Sequence, residues 1–150
     1  AEIFPGVLDI MQQITDAGMQ VGVVTGSGQR PLIQRLLNDF GDFLDENHIV
    51  TAYDVKRGKP NSDPYLMGLE KAGKLKPWEG IVVENAPLGV RAGVAANIFT
   101  VAINSGPLPD QELSDKGSNL LYHKMTEFCE DFESLQEAAK DTSKSTKACK

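Results

Sequence analysis

Apolar positions along this chain recur with two different periods, and the periods alternate. Val7, Leu8, Met11 and Ile14 fall at the three- and four-residue spacing of one helix face, opened by Pro5-Gly6 and closed by Gly18. Pro near the start and Gly just past the end are the usual helix punctuation. The continuous run at residues 21–24 predicts a buried strand that ends at Thr25-Gly26-Ser27-Gly28. Pro31 starts a second helix, with Leu32, Ile33, Leu36 and Leu37 at helical spacing. Residues 48–52 predict a third element, a strand, followed by a polar loop over 53–60. Asn61-Ser62-Asp63-Pro64 is a helix start, and Tyr65, Leu66 and Leu69 give that helix its apolar stripe before Gly73. Residues 81–83 predict a strand buried on both faces. A helix follows through Ala96, with Asn97 as a left-handed cap, and then a strand over 98–103. A loop with one helical turn (107–117), a short edge strand (119–122) and a helix marked by Met125, Phe128, Phe132 and Leu135 complete the pattern.

Strand and helix alternate four times, which predicts an α/β fold with a parallel sheet covered by helices on both faces. There are no internal repeats. Residues 1–139 read as one domain. From about residue 140 the composition turns polar without an apolar period, and a disordered tail over 140–150 is expected.

Composition narrows the function classes. The formal charge of −6 and a sequence pI near 4.9 exclude the basic footprint of a nucleic-acid surface. No apolar run reaches membrane-spanning length, and the first residues lack a signal-peptide pattern. Cys129 and Cys149 have no metal-like spacing, so two unpaired thiols and a cytoplasmic setting are expected.

The candidate chemistry lies where strands end. Thr25, Lys59 and the pair Glu84-Asn85 fall at or beyond the carboxyl ends of successive strands, which right-handed crossovers bring to one rim of the sheet. Thr25 offers a hydroxyl. Gly26, Ser27 and Gly28 let backbone N–H groups approach an anion at a helix N-terminus. Lys59 brings a positive charge, and Glu84 and Asn85 bring hard oxygen donors of the kind Mg²⁺ accepts. Together these make a phosphoryl site. Each part alone has a plainer explanation: Thr25-Gly26-Ser27-Gly28 as a tight turn, Lys59 as a solvated lysine, Glu84 and Asn85 as helix caps. Gly26-Ser27-Gly28 also begins like a dinucleotide fingerprint. Pro31 stands at the place of its third glycine, however, and no acidic residue ends the following strand.

The ordered set of Thr25-Gly26-Ser27-Gly28, Gly58-Lys59-Pro60 with Asp63-Pro64 behind it, and Glu84-Asn85-Ala86-Pro87-Leu88-Gly89-Val90 resembles motifs two, three and four of the haloacid dehalogenase superfamily. The likeness is strongest to its β-phosphoglucomutase-like subfamily and, within it, to a bacterial branch that includes inorganic pyrophosphatases. The resemblance implies a Rossmann-like three-layer core and a Mg²⁺-dependent phosphohydrolase working through an aspartyl-phosphate, with a small phosphate ester or pyrophosphate as substrate. It implies that Thr25 and Lys59 are catalytic, with Thr25 hydrogen-bonding the transferring phosphoryl group and Lys59 balancing its charge. Thr25, Gly26, Ser27 and Lys59 would bind phosphate, and Asn85 with Glu84 would take part in holding Mg²⁺. Asn85 stands where much of the superfamily has Asp.

The superfamily's nucleophile and acid/base lie in an Asp-x-Asp pair after the first core strand, and this sequence contains no Asp-x-Asp. The expectation is therefore the post-cap half of a core domain, lacking the nucleophile strand and the helical cap, inactive alone and needing the missing N-terminal half as a partner. A non-catalytic binding or assembly fragment of the same fold is the alternative.

Overall fold

The computed structural model describes residues 3–148, with side chains described through residue 137. Six helices and five strands run in the order α1 (Val7–Asp16), β1 (Val23–Val24), α2 (Arg30–Phe40), β2 (Ile49–Val50), α3 (Asp63–Lys71), β3 (Ile81–Glu84), α4 (Pro87–Ala95), β4 (Phe99–Ile103), α5 (Asp110–Ser114), β5 (Leu120–Tyr122) and α6 (Met125–Ala148). Every strand pairing among the described residues is parallel, as the alternation predicts. Asn97 takes the left-handed conformation (φ 62°) that ends α4, and Gly18 (φ 77°) does the same after α1.

The period of two along β4 assigns the layers. Val101 and Ile103 point to the face covered by Ile10 of α1 and by Phe128 and Phe132 of α6. Ala102 points the other way, against Val90 of α4 and Leu113 of α5. Val82 of β3 packs with Ala96 and Leu69, which places α3 in the same layer as α4. Helix α4 can lie close to the sheet because Gly93 faces it. A Cβ there would come within 2.7 Å of Thr100 Oγ1 and 3.0 Å of Val82 Cγ1. The result is a three-layer α/β/α arrangement.

The sheet is in two pieces. β1 and β2 form one parallel pair, β3, β4 and β5 form a second sheet in that order, and no backbone ladder joins β1 to β3. Between them lies a cavity of about 890 Å³ lined by Val21, Val23 and Val24 on one side and by Ile81, Val82 and Val83 on the other. Its mouth carries Lys59, Glu84 and Asn85. Two helices tie the halves together. Helix α1 places Ile10 in the core of one half and Met11 in that of the other, with Ile14 touching both. Helix α3 contacts β1 and β2 while its Leu69 packs on Val82.

The cavity corrects one expectation. Strand β3 is not buried on both faces: Val82 is 4% exposed, whereas Ile81 and Val83 are 44% and 37% exposed and open onto the cavity. Leu8 and Leu66, assigned to apolar stripes, are exposed. Ile10 takes Leu8's place in the core, because a helix buries one arc and Ile10, Met11 and Ile14 lie along it. The strand over 48–52 shortens to Ile49–Val50 between turns of 3₁₀ helix at Glu46–His48 and Ala52–Asp54. Helix α6 runs to Ala148, past the boundary expected at residue 140. A helix anchored by Phe128 and Phe132 extends at little cost per added residue even without an apolar face. Residues 149 and 150, with Cys149, lie outside the described residues. Cys129 is unpaired and its Sγ–H donates to the Gly6 carbonyl at 3.1 Å. Among the described residues, no helix is long and apolar enough to cross a membrane.

Candidate active site

Strand β1 ends into the turn 25–29, which is held by its own side chains. The Ser27 N–H donates to Thr25 Oγ1 (3.1 Å) and the Gln29 N–H donates to Ser27 Oγ (3.2 Å) before α2 begins. Gly26 has open space above it, where a phosphate oxygen could approach the backbone. Tyr53 covers the far end of the turn. Its ring lies so close over Gly28 that any Cβ there would collide with it.

Lys59 arrives from a pinned loop. At one end Asp54 accepts from the Thr51 N–H (2.7 Å) and pairs with Lys71 (3.1 Å), whose ammonium also donates to the Ile49 carbonyl (2.8 Å). The Thr51 N–H and the Lys71 ammonium hold the Asp54 carboxyl below its ordinary range. At the other end Arg57 grips Asp63 through two bonds, Nε to Oδ2 at 3.2 Å and Nη2 to Oδ1 at 3.1 Å. The Lys59-Pro60 peptide is cis, and α3 starts at Asp63.

These supports deliver the Lys59 ammonium to the gap between the two half-sheets. It donates to the Val24 carbonyl at the end of β1 (3.3 Å) and to Glu84 Oε1 at the end of β3 (2.5 Å). Glu84's side chain is only 9% exposed and Lys59's 24%. Tyr65, from the first turn of α3, donates its hydroxyl to the same Glu84 oxygen, and its ring centroid lies 5.3 Å from the Lys59 nitrogen. Burial first, and the Glu84 charge second, push the Tyr65 phenol far above its usual range. Glu84 Oε2 accepts from the Asn85 N–H at 3.1 Å. Gly89, one turn into α4, lies under the Glu84 carboxylate, and a Cβ there would overlap it.

The structure thus joins Lys59 to Glu84 directly and to the strand end that leads into Thr25. It sets Asn85 beside Glu84 at the mouth of the cavity. Three participants carried no chemical signal in the sequence: Tyr65, Gly89 and the Val24 carbonyl. Its spacing places Tyr65 in the apolar stripe of α3. The available clue was its place in the first turn of the helix that follows Lys59-Pro60, which aims it at the same rim.

The donor set suits Mg²⁺ in part. Glu84 Oε2 and the Asn85 amide oxygen are hard donors, and Mg²⁺ characteristically takes one or two carboxylates and completes its shell with water and phosphate. Among the described residues no cluster of three or more His, Cys, Asp or Glu side chains could hold a metal unaided. Bound here, the ion would polarise a phosphate oxygen.

The family model described as "Haloacid dehalogenase-like hydrolase" matches residues 1–103. The chain belongs to that family. It is 39% identical over 101 residues to hexitol phosphatase A of Escherichia coli (strain K12), a match that covers 67% of this chain and 45% of that protein. It is 25% identical over 126 residues to PpaX of Clostridium perfringens (strain 13 / Type A), provisionally assigned as a pyrophosphatase, covering 84% of this chain and 58% of that one. Among solved structures, a provisionally assigned beta-phosphoglucomutase from Bacteroides vulgatus superposes with a TM-score of 0.85 at 51% identity, covering 92% of this chain and 55% of that chain. The chain therefore spans about half the length of the relatives it matches.

Proposed function

We propose that these residues are the phosphate- and cation-handling part of a Mg²⁺-dependent phosphohydrolase acting on a small phosphate ester. The observation that carries this reading is Lys59, a cation suspended between the end of β1 and Glu84 at the mouth of a cavity. A monoester phosphate seated on the turn 25–28 would receive the Thr25 hydroxyl, the Gly26 N–H and the Lys59 charge, and would take the Ser27 N–H only in place of its bond to Thr25 Oγ1. Glu84 and Asn85 would hold the ion on the opposite side. A sugar phosphate is favoured over pyrophosphate because hexitol phosphatase A is the more similar of the two relatives.

Hydrolysis through an aspartyl-phosphate needs a carboxylate nucleophile. Thr25 and Ser27 do not supply a substitute, since their hydroxyl oxygens accept from backbone N–H groups and no base adjoins them among the described residues. The reading therefore assigns the nucleophile to a further strand that enters the cavity between β1 and β3 and ends between Thr25 and Glu84. Phosphate release from sugar phosphates, p-nitrophenyl phosphate and pyrophosphate, with Mg²⁺ or with EDTA, tests the proposal on the full-length polypeptide carrying this sequence. Mg²⁺-dependent release is expected, fastest from sugar phosphates. Absence of release from every ester, or release that persists in EDTA, would overturn it.

A further inference from the structure

We propose that Tyr65 is a positioning residue that frees Lys59 for the substrate phosphate, a role that rests on the phosphate-site reading above. Glu84 Oε1 has two donors of different kinds, the Lys59 ammonium and the Tyr65 hydroxyl. Only one of them has other work to do. Two of the three Lys59 N–H donors are already engaged, by Glu84 Oε1 and the Val24 carbonyl, and moving the ammonium toward a phosphate on the turn 25–28 lengthens its bond to Glu84, whose side chain is almost wholly enclosed. Stripping an enclosed carboxylate oxygen of its donors is costly. With Tyr65 in place, Oε1 keeps a hydrogen bond after Lys59 turns away. The Tyr65 ring, 5.3 Å from the ammonium, also offers a favourable cation–π face near the path of that movement. Helix α3 fixes the ring, since Tyr65 packs with Leu69, Val82, Ala96 and Ile98. The hydroxyl is thus a stationary donor, whereas the ammonium sits at the end of a flexible stem.

The effect of Tyr65 on phosphate binding then depends on the charge of Glu84, and this separates positioning from plain packing. The test is a double-mutant cycle read by calorimetric titration of inorganic phosphate into the full-length polypeptide in EDTA, so that neither metal nor turnover enters. Tyr65→Phe keeps the ring and removes the donor. It should weaken phosphate binding by about ten-fold, the loss expected when one hydrogen bond to a charged group disappears. In a Glu84→Gln background, where no carboxylate holds Lys59, Tyr65→Phe should change phosphate affinity by less than about two-fold. Circular dichroism on each variant establishes that all four proteins are folded. Equal effects of Tyr65→Phe in both backgrounds, or none in the first, would overturn the role of Tyr65 and leave the phosphate site standing. Failure of the unsubstituted protein to bind phosphate would overturn the phosphate-site reading, and this inference with it.

Discussion

Gly89 and Glu84 are in van der Waals register: the carboxylate occupies the space that any side chain at Gly89 would need. Because φ at Gly89 is not in the left-handed region, the glycine answers to the carboxylate above it rather than to the backbone. The atoms a Cβ would strike are the far end of a flexible side chain, so Gly89→Ala should displace Glu84 rather than disrupt the helix. Removing a glycine from a helix interior contributes up to about 1 kcal/mol of stability. The expected outcome is a protein at least as stable in urea, with the Lys59–Glu84 pair broken and the proposed phosphatase activity of the full-length polypeptide lost. Gly93→Ala is the control. Its Cβ would meet Thr100 and Val82 in the fully packed interior, and overpacking there should cost about 1–3 kcal/mol.

Lys59→Ala should act on binding and chemistry together. It removes the only ammonium paired with Glu84 among the described residues and leaves a largely enclosed carboxylate with Tyr65 and the Asn85 N–H as donors. Breaking a fully buried pair costs about 3–5 kcal/mol. Here about 1–2 kcal/mol is expected, because both remaining donors persist and Lys59 is partly solvated. In kinetics, kcat/KM should fall by at least about a hundred-fold, the scale for losing a preorganised charge from a transition state. Urea denaturation and steady-state assays of the full-length polypeptide measure the two effects separately.

Asn85→Ala should weaken Mg²⁺ activation by at least about ten-fold while leaving stability within about 0.5 kcal/mol, because Asn85 is exposed and its side chain has no partner role in the packing. Unchanged Mg²⁺ dependence in a titration of activity would remove it from the ion's shell.

The alternation of periods was sufficient to predict the layers, and the strand ends to predict the rim, because both follow from local sequence. Lys59 and Glu84 were legible as charged residues at strand ends. Their direct pairing was not, since it depends on how far apart β1 and β3 sit. Tyr65 and Gly89 escaped notice for a related reason: an aromatic in an apolar stripe and a glycine in a small-residue helix both have ordinary packing explanations. The exposure of Ile81 and Val83 could not be read from an apolar run, because burial depends on a neighbour that the run does not specify. In α6, the polar composition after residue 140 concealed a helix that starts on a well-packed anchor.

A pH-sensitive contact lies on the same side of the second sheet. His123, just past β5, meets Asp110 at 2.8 Å, and Asn104, just past β4, donates to the same carboxylate at 2.7 Å. Asn104 and His123 hold the Asp110 carboxyl below its ordinary value of 3.8, and Asp110 raises His123 above 6.5. The signs are opposite. The raised histidine contributes stability fully below 6.5, and that contribution is lost as pH rises through its folded pKa. The lowered carboxylate contributes above 3.8 and loses its contribution as pH falls through its own folded pKa. The contact is therefore strongest between those limits, and the groups are exposed, so the effect is small and screened by salt. Thermal unfolding of His123→Gln against the unsubstituted protein should show a difference in that window that shrinks above neutral pH and in high salt.

The cavity between β1 and β3 yields the last prediction. Strands β1 and β3 face each other across it with no ladder between them, and Val, Ile, Met and Phe side chains, Ile81 and Val83 among them, make up much of its lining. Backbone groups on those edges are paired on one side only, and an edge of this kind invites another strand. An extended segment entering parallel to both would close the two sheets into one five-plus-one array and cover Ile81 and Val83. Burying the remaining exposed surface of two such side chains contributes on the order of 1–2 kcal/mol, and each backbone hydrogen bond adds about 1 kcal/mol. The amides of residues 21–24 and 81–84 that face the cavity, not those bonded to β2 and β4, should therefore exchange rapidly with deuterium in the 150-residue chain taken alone. They should become strongly protected in the full-length polypeptide or on adding a peptide that carries the strand proposed above to bear the nucleophile. The outer edge at β5 should be indifferent to that addition. Slow exchange at the cavity-facing amides of residues 81–84 in a confirmed monomer of the isolated chain would show that the edge is already satisfied and that the cavity is not waiting for a strand.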